Sequence, residues 1–347
     1  MKNTNKMEIL NNQPRLEESL NPWQVTGLTD GEGGFYCSIF KTSSTNGTDR
    51  FRVKLEFKVV QKSHSEGVLF KILNFFSCGT VVIDNRKTDT KNYHVTSINE
   101  ILNKIIPHFE TYPCLTSKFL NFRDCKEIAR IMETKDHLII TTFALDWSKA
   151  RVTVAKEGLE KIREISSKMN TGRTFRDKYN FLSHSLNLES NGTIQYKLPE
   201  YWVQTFIDGE GMFYNYLKTE LPLTSLYEKN KVILDSSLEI AQANLDVLIL
   251  IAIKQFFNGG YTKPKYNVSS ITECKESRCV NRFILRDTKK IIEFVNKYPM
   301  LTRKHLDYLD WKTIVELKNN GEYKSPEGLA KIQEIKGRMN TNRDLSK

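Results

Sequence analysis

Residues 50–59, RFRVKLEFKV, alternate with a period of two. Phe51, Val53, Leu55, Phe57 and Val59 fall on one side; Arg50, Arg52, Lys54, Glu56 and Lys58 fall on the other. Successive side chains of a strand point to opposite faces, so this pattern predicts a strand with one buried and one strongly basic face. The preceding run FYCSIFKT divides in the same way, with Phe35, Cys37 and Ile39 against Tyr36, Ser38, Phe40 and Thr42. Upstream, Asn21-Pro22 marks a helix start: a capping side chain, then proline where no N–H donor is needed. That helix is expected to run to the glycine stop at Gly33-Gly34. Further on the period lengthens. Leu159, Ile162, Ile165 and Met169 recur at helical spacing and make one apolar stripe. The expected order is helix, hairpin, helix, hairpin, then helices.

This order occurs twice. Residues 157–173 read EGLEKIREISSKMNTGR, and residues 327–343 read EGLAKIQEIKGRMNTNR, with Leu329, Ile332, Ile335 and Met339 repeating the stripe. VVQK (59–62) is matched by IAQA (240–243), sharing Gln61 and Gln242; LNFFSCG (73–79) by IKQFFNGG (253–260). YPCLTSK (112–118) is matched by YPMLTRK (298–304), sharing Lys118 and Lys304. Matches in the same order point to a duplicated unit. The chain is thus read as two pseudo-symmetric αββαββα halves of α+β class, 16–173 and 196–347. Residues 174–195, with weak periodicity and polar ends, are read as a linker. Residues 1–15 are read as a loose tail.

The 347 residues have room for two cores, and 39% apolar with 27% charged residues is a globular composition. A net charge of +11 points to a polyanion, most simply nucleic acid. An acidic membrane surface is the competing partner, but no apolar run approaches a membrane span and no basic amphipathic anchor stands out. The sheet repeats in both halves and the total charge is high, which favours a nucleic-acid surface over an ordinary solvated face. Six cysteines are scattered, with only Cys274 and Cys279 close together and no histidine beside them to complete a zinc site. They are read as six free thiols in a reducing compartment. The N-terminus lacks an apolar signal core, and with acids and little arginine it does not resemble a transit peptide.

The chemistry lies in a phrase that also occurs twice: VTGLTDGEGGFY (25–36) and VQTFIDGEGMFY (203–214). Each copy places acids at the end of a helix. A carboxylate there meets the negative end of the dipole, at a cost of a few tenths to about 1 kcal/mol. Two symmetric helices would also bring two carboxylates together, each raising the pKa of the other. A hard divalent cation offsets both costs, and carboxylate and carbonyl oxygens suit magnesium. Glycines beside the acids allow close backbone approach. One copy alone would pass as an ordinary helix end; two at matched positions in a basic duplicated chain would not.

Val25–Gly33 and Val203–Gly211 resemble the nine-position LAGLIDADG motif of homing endonucleases, in the single-chain form with two motifs. The resemblance covers nearly the whole chain. It implies that the two motif helices pack side by side between the halves, with saddle-shaped antiparallel sheets facing DNA. Their last acids, Glu32 and Glu210, would bind metal and activate water, and the carbonyls of Gly31 and Gly209 would line the same site. Gln61, Gln242, Lys118 and Lys304 fall on polar and basic positions around it. Asp30 and Asp208 match acids whose usual role is structural, so they stay outside the catalytic set. The small residue of the helix contact is Gly27 in one copy but Thr205 in the other, which makes close approach slightly harder.

What the resemblance implies is a magnesium-dependent, site-specific double-strand DNA endonuclease that cuts across the minor groove and leaves short 3′ overhangs. Manganese would substitute, and calcium would support binding without turnover. The active species is expected to be a monomer on a long asymmetric site. Tyr36, Ser38, Phe40, Thr42, Arg50, Arg52, Lys54, Lys58, His94 and Thr96 would meet one half-site; Tyr214, Tyr216, Lys218, Arg282 and Arg286 would meet the other. The alternative is an intron-RNA maturase, with or without cleavage. Loss of cleavage usually shows as missing motif acids, and both glutamates are present. A DNA-binding regulator would need an added helix-turn-helix domain, for which the segments leave no room. Introns encoding such proteins are frequent in fungal mitochondria, and a protein made inside the organelle needs no transit peptide.

Overall fold

A computed structural model describes residues 19–42, 50–135, 142–143, 152–153, 157–220, 231–264, 279–340 and 343; the expected tail 1–15 and Cys274 lie outside them. The first half opens with α1 (Pro22–Glu32). Its start is a capping box: Trp23 N donates to Asn21 Oδ1 at 2.9 Å, and Asn21 N donates to Gln24 Oε1 at 2.7 Å. The helix stops at Gly33, where the backbone turns extended and becomes β1 (Gly33–Thr42) without a loop.

β1 pairs antiparallel with β2 (Arg50–Lys62). The second hairpin, β3 (Thr80–Asn85) and β4 (Thr90–Val95), follows α2 (Gly67–Phe76) and completes a four-stranded sheet of order β1-β2-β4-β3. In the register Phe35 faces Phe57 and Cys37 faces Leu55, so the apolar set shares one side of the sheet. Helices cover that side: α3 (Ile106–Thr111), α4 (Lys118–Glu133) and α5 (Glu157–Lys168). The core is aromatic, with Phe35 against Phe57 and Phe109 at centroid distances of 5.2 Å each. The other side carries Tyr36, Ser38, Phe40 and Arg52, all exposed, with Lys54 and Lys58 half-buried. The period-two expectation for both strands therefore stands for every side chain described; Thr42 and Arg50 form the end pair of the ladder.

Helix α6 (Phe175–Ser185) joins the halves. The segment read as a linker is more ordered than that: a Thr174–Asp177 capping box starts the helix, and Leu182, Leu186 and Ile194 are buried in the second core. The second half repeats the first as α7 (Glu200–Glu210), β5 (Gly211–Glu220), β6 (Lys231–Ala243), α8 (Val247–Phe256), β7 (Tyr261–Pro264), β8 (Val280–Leu285), α9 (Thr288–Lys297), α10 (Lys304–Asn319) and α11 (Pro326–Gly337). Its sheet order is β5-β6-β8-β7. Its core holds Phe213, Phe283, Tyr308 and Trp311.

The cysteine reading needs one correction. Cys37, Cys78, Cys114 and Cys125 are free, but Cys279 is disulfide-bonded. Among the described residues no helix is long and apolar enough to cross a membrane.

Candidate active site

Helices α1 and α7 pack along each other and form the seam between the halves. A buried hydrogen bond from Gln24 Nε2 to Gln204 Oε1, 2.8 Å, crosses near their start. A Cβ built at Gly27 would lie 2.2 Å from Thr205 Oγ1 and 2.5 Å from Trp202 O. Thr205 therefore does not hold the helices apart; it fills the space that Gly27 leaves. Further along, a Cβ at Gly31 would lie 3.3 Å from Gly209 Cα, and one at Gly209 would lie 3.1 Å from Gly31 Cα. Backbone touches backbone there, which only glycine allows without displacement.

The two motif acids of each copy separate into different jobs. Asp30 is buried: it accepts from Leu115 N at 2.7 Å, from the Thr116 hydroxyl at 2.5 Å and, across the seam, from Trp202 Nε1 at 2.8 Å. Asp208 accepts in the same way from Leu301 N at 2.6 Å and the Thr302 hydroxyl at 2.6 Å. These are structural anchors, as the sequence implied. They also pull the two matched loops across the seam. Leu115 enters the second core, and Leu301 packs against the first.

Glu32 and Glu210 end α1 and α7. A Cβ at Gly209 would be 3.4 Å from Glu32 Cγ, and one at Gly31 would be 3.9 Å from Glu210 Cγ. Each glutamate thus leans over the glycine of the opposite helix, and the two carboxylates converge. The Glu32 side chain reaches solvent on one side while protein crowds its other sides. Burial pushes its carboxyl above the ordinary range, and Lys118 and Lys304 pull it back. The Glu210 carboxyl is also raised, by burial first and by Glu32; Lys118, a hydrogen bond from Gln242 and Lys304 oppose this. Burial lowers the Lys304 ammonium, which Asp208, Glu32 and Glu210 counter.

The lysines are anchored at the helix ends. Lys118 Nζ donates to Thr29 O at 3.1 Å and Gly31 O at 3.0 Å. Lys304 Nζ donates to Ile207 O at 3.1 Å, Gly209 O at 3.2 Å and Gly211 O. These ammonium groups bond the carbonyls of Gly31 and Gly209 in the last turns, and they place positive charge at the negative end of each dipole. The Gly31 and Gly209 carbonyls expected to line a metal site are therefore each engaged by a lysine. The glutamines are not equivalent: Gln242 bonds Glu210, whereas Gln61 Nε2 is buried without a partner.

On the outward sheet faces the expected residues divide by partner. Lys58 pairs with Asp84 at 2.9 Å, and His94 lies 3.7 Å from Glu56. Thr96 is exposed just past β4. In the second half Tyr216 and Lys218 are exposed and Tyr214 half-buried. Arg282 donates to the buried Glu239 at 2.7 Å, and Arg286 stacks its guanidinium 5.8 Å from the Tyr261 centroid. The sequence reading passed over the contacts across the seam, including Trp202–Asp30 and Asp246–Ser117. It also passed over Lys62, His64 and Arg303, which line a cavity beside Glu32. Charge differences between matched positions of the repeat were the available signal.

The sequence profile described as LAGLIDADG endonuclease matches residues 25–129 and 205–315, one copy per half. A Neurospora crassa protein named Probable intron-encoded endonuclease 3 is 26% identical over 331 residues, covering 92% of this chain and 54% of that protein. Probable intron-encoded endonuclease 2 of the same organism is 27% identical, covering 92% of this chain and 65% of that protein. The chain thus spans roughly half to two-thirds of these relatives. Among solved structures, the I-LtrWI LAGLIDADG homing endonuclease bound to target DNA superposes with a TM-score of 0.71 at 27% identity, covering 93% of this chain and 98% of that one. With the profile repeated in both halves and glutamates ending the two packed motif helices, the chain belongs to the LAGLIDADG endonuclease family.

Proposed function

We propose that the protein is a site-specific double-strand DNA endonuclease that hydrolyses one phosphodiester in each strand across the minor groove, leaving short 3′ overhangs. The observation that carries this is the convergence of Glu32 and Glu210 over Gly209 and Gly31, between two sheets whose outward faces carry basic and aromatic side chains. The DNA-bound state of the related I-LtrWI supports the same partner.

Among the described residues no three His, Cys, Asp or Glu side chains cluster to hold a metal ion. The site offers two carboxylates, both hard donors, while the Gly31 and Gly209 carbonyls are turned to the lysines. Magnesium fits such a set, because it keeps several waters and binds through one or two carboxylates plus substrate phosphate. Glu32 and Glu210 would hold it, and a cation there would offset the burial that raises both carboxyl pKa values. When bound, magnesium supplies Lewis-acid chemistry, making water a better nucleophile and offsetting charge on the phosphate. Lys118 and Lys304 hold fixed positive charge beside both acids, where negative charge grows during hydrolysis. Gln242 orients Glu210, and Gln61 has a free donor for solvent or phosphate. Two acids within one chain make a monomer sufficient. A mitochondrial setting is what the resemblance implies, and the names of the fungal intron-encoded relatives fit it. Both motif acids remain, which favours cleavage over an RNA-only maturase role.

The test begins with selection of cleaved sites from a randomised DNA library. Glu32→Gln or Glu210→Gln is expected to lower double-strand cleavage by roughly 100-fold or more while specific binding persists. Magnesium or manganese is expected to support cutting, and calcium binding only. Full cleavage by either variant, or in excess chelator, refutes the assignment.

A further inference from the structure

The halves fill one pair of matched positions in opposite ways. Asp246 crosses the seam to Ser117: Ser117 N donates to its Oδ1 at 2.7 Å, and the Ser117 hydroxyl to its Oδ2 at 3.1 Å. Ser117 is the N-cap residue of the 16-residue helix α4. A carboxylate from the other half thus occupies the positive end of that helix. In the repeat, Ser65 matches Asp246 and Arg303 matches Ser117. Arg303 is the N-cap residue of α10, also of 16 residues, and its N–H reaches only the Ser65 hydroxyl, at 3.4 Å. Among the described residues no carboxylate takes the place that Asp246 takes opposite.

That place opens instead into a cavity of about 190 Å³ beside Glu32, walled in part by Gln61, Lys62, His64, Arg303 and Lys304. The matched residues of Lys62, His64 and Arg303 are Ala243, Leu245 and Ser117, none of them basic. Glu32, Asp208 and Asp307 also line the cavity, and the two aspartates are already held by the protein. Asp307 accepts from Arg343 Nε at 3.0 Å and Nη2 at 2.8 Å, and Asp208 is held by Leu301 and Thr302. Among the described residues the Arg303 guanidinium forms no ion pair, and Gln61 Nε2 is a buried donor without a partner.

We propose that this cavity binds a backbone phosphate of the DNA strand next to Glu32, which takes the anion position that Asp246 fills in the other half. Arg303 grips the phosphate oxygens, with Lys62 and His64 beside it and Gln61 Nε2 as a further donor. The inference rests on the endonuclease reading and deepens it: only one of the two strands is gripped, so the two strands are cut at unequal rates. The chain's own carboxylate closes the equivalent position toward the other strand.

Two variants test this. Arg303→Ser installs the residue of the matched position; Ser65→Asp supplies an internal carboxylate, as Asp246 does opposite. Each strand of a target recovered from the library is end-labelled separately, and single-turnover cleavage is followed with magnesium. The wild type is expected to cut one strand first. Both variants are expected to slow that strand at least about tenfold and to leave the other within about twofold, so that nicked duplex accumulates. Equal slowing of both strands, or of neither, overturns the proposal. Binding without divalent metal is a second readout: Arg303→Ser should reduce the salt slope of DNA affinity by about one, as expected for a lost phosphate contact. An unchanged slope in both variants overturns the site. A wild type that binds but cuts neither strand refutes the endonuclease reading alone, and the salt slope then decides the phosphate site.

Discussion

At the scale of single residues the seam is a set of unequal pairs that interlock. Gly27 faces Thr205, and a methyl group at Gly27 would meet both the Thr205 hydroxyl and the Trp202 carbonyl oxygen, the latter at 2.5 Å. A side chain can move; a helix backbone moves only with the whole seam. Gly27→Ala is therefore expected to cost roughly 2–3 kcal/mol, read as a lower urea midpoint. Adding Thr205→Gly to it should recover less than half of that loss, because the carbonyl clash remains. Full recovery in the double variant would mean that the helices separate easily, contrary to the backbone contact at Gly31 and Gly209. The candidate-site residues were legible at this scale because duplication marks them: Glu32, Gln61 and Lys118 each have a twin. Duplication could not show that the twins differ in bonding. Gln242 reaches Glu210 while Gln61 Nε2 has no partner, and that difference arises from neighbours far away in sequence.

At the scale of elements, helix stripes and strand alternation were legible wherever one face is buried. The repeated phrase Met-Asn-Thr has a structural cause. Asn170 and Asn340 both take left-handed backbone at the end of their helices, φ 56° and 55°, and their side-chain amides donate to Phe35 O and Phe213 O. Asparagine tolerates that conformation and docks the helix end onto the first strand of each sheet. Helix α6 was not legible, because only Lys178 and Leu182 of its eleven residues are buried and so short a stripe gives no clear period. Another feature hidden from the sequence is His108 on α3. Its ring lies among Phe75, Phe76, Phe109 and Tyr112 and touches the Thr26 hydroxyl of α1 at 3.3 Å. Burial lowers its pKa from 6.5 to about 4. The folded state thus favours the neutral ring. The associated stability is fully present above 6.5 and is lost as pH falls toward 4, reaching about 3 kcal/mol. Unfolding free energy measured between these limits should decline, and His108→Gln should flatten the decline even if its stability at neutral pH is lower. An equal slope in the variant would assign the acid sensitivity to other groups.

For the whole molecule, the halves are two cores joined through helices α1 and α7 and through loops exchanged at Leu115 and Leu301. Pattern alone gave the duplication and the basic outward face of β2. The exchange could not be read, since nothing local in LTS or LTR says which core the leucine enters. The two sheets should therefore read DNA independently even though the site between them is shared. Arg52 is exposed on β2 opposite Phe40 of β1, so Arg52→Ala is expected to relax base preference in one half-site with little change in melting temperature. Arg282 differs, because it neutralises the buried Glu239. Arg282→Ala is expected to relax the opposite half-site and also to destabilise the second half, since an unpaired buried carboxylate remains. A bidentate contact to guanine discriminates by about 1–3 kcal/mol, so each loss should appear at one or two positions and not across the site. Leu55 and Phe57 point inward on β2 and should alter stability without altering preference. The measurement is a cleavage profile over every single-base variant of the target, paired with thermal melts. If Arg52→Ala and Arg282→Ala disturb the same half-site, or Leu55→Val shifts preference as far as Arg52→Ala does, the two outward faces are not the reading surfaces.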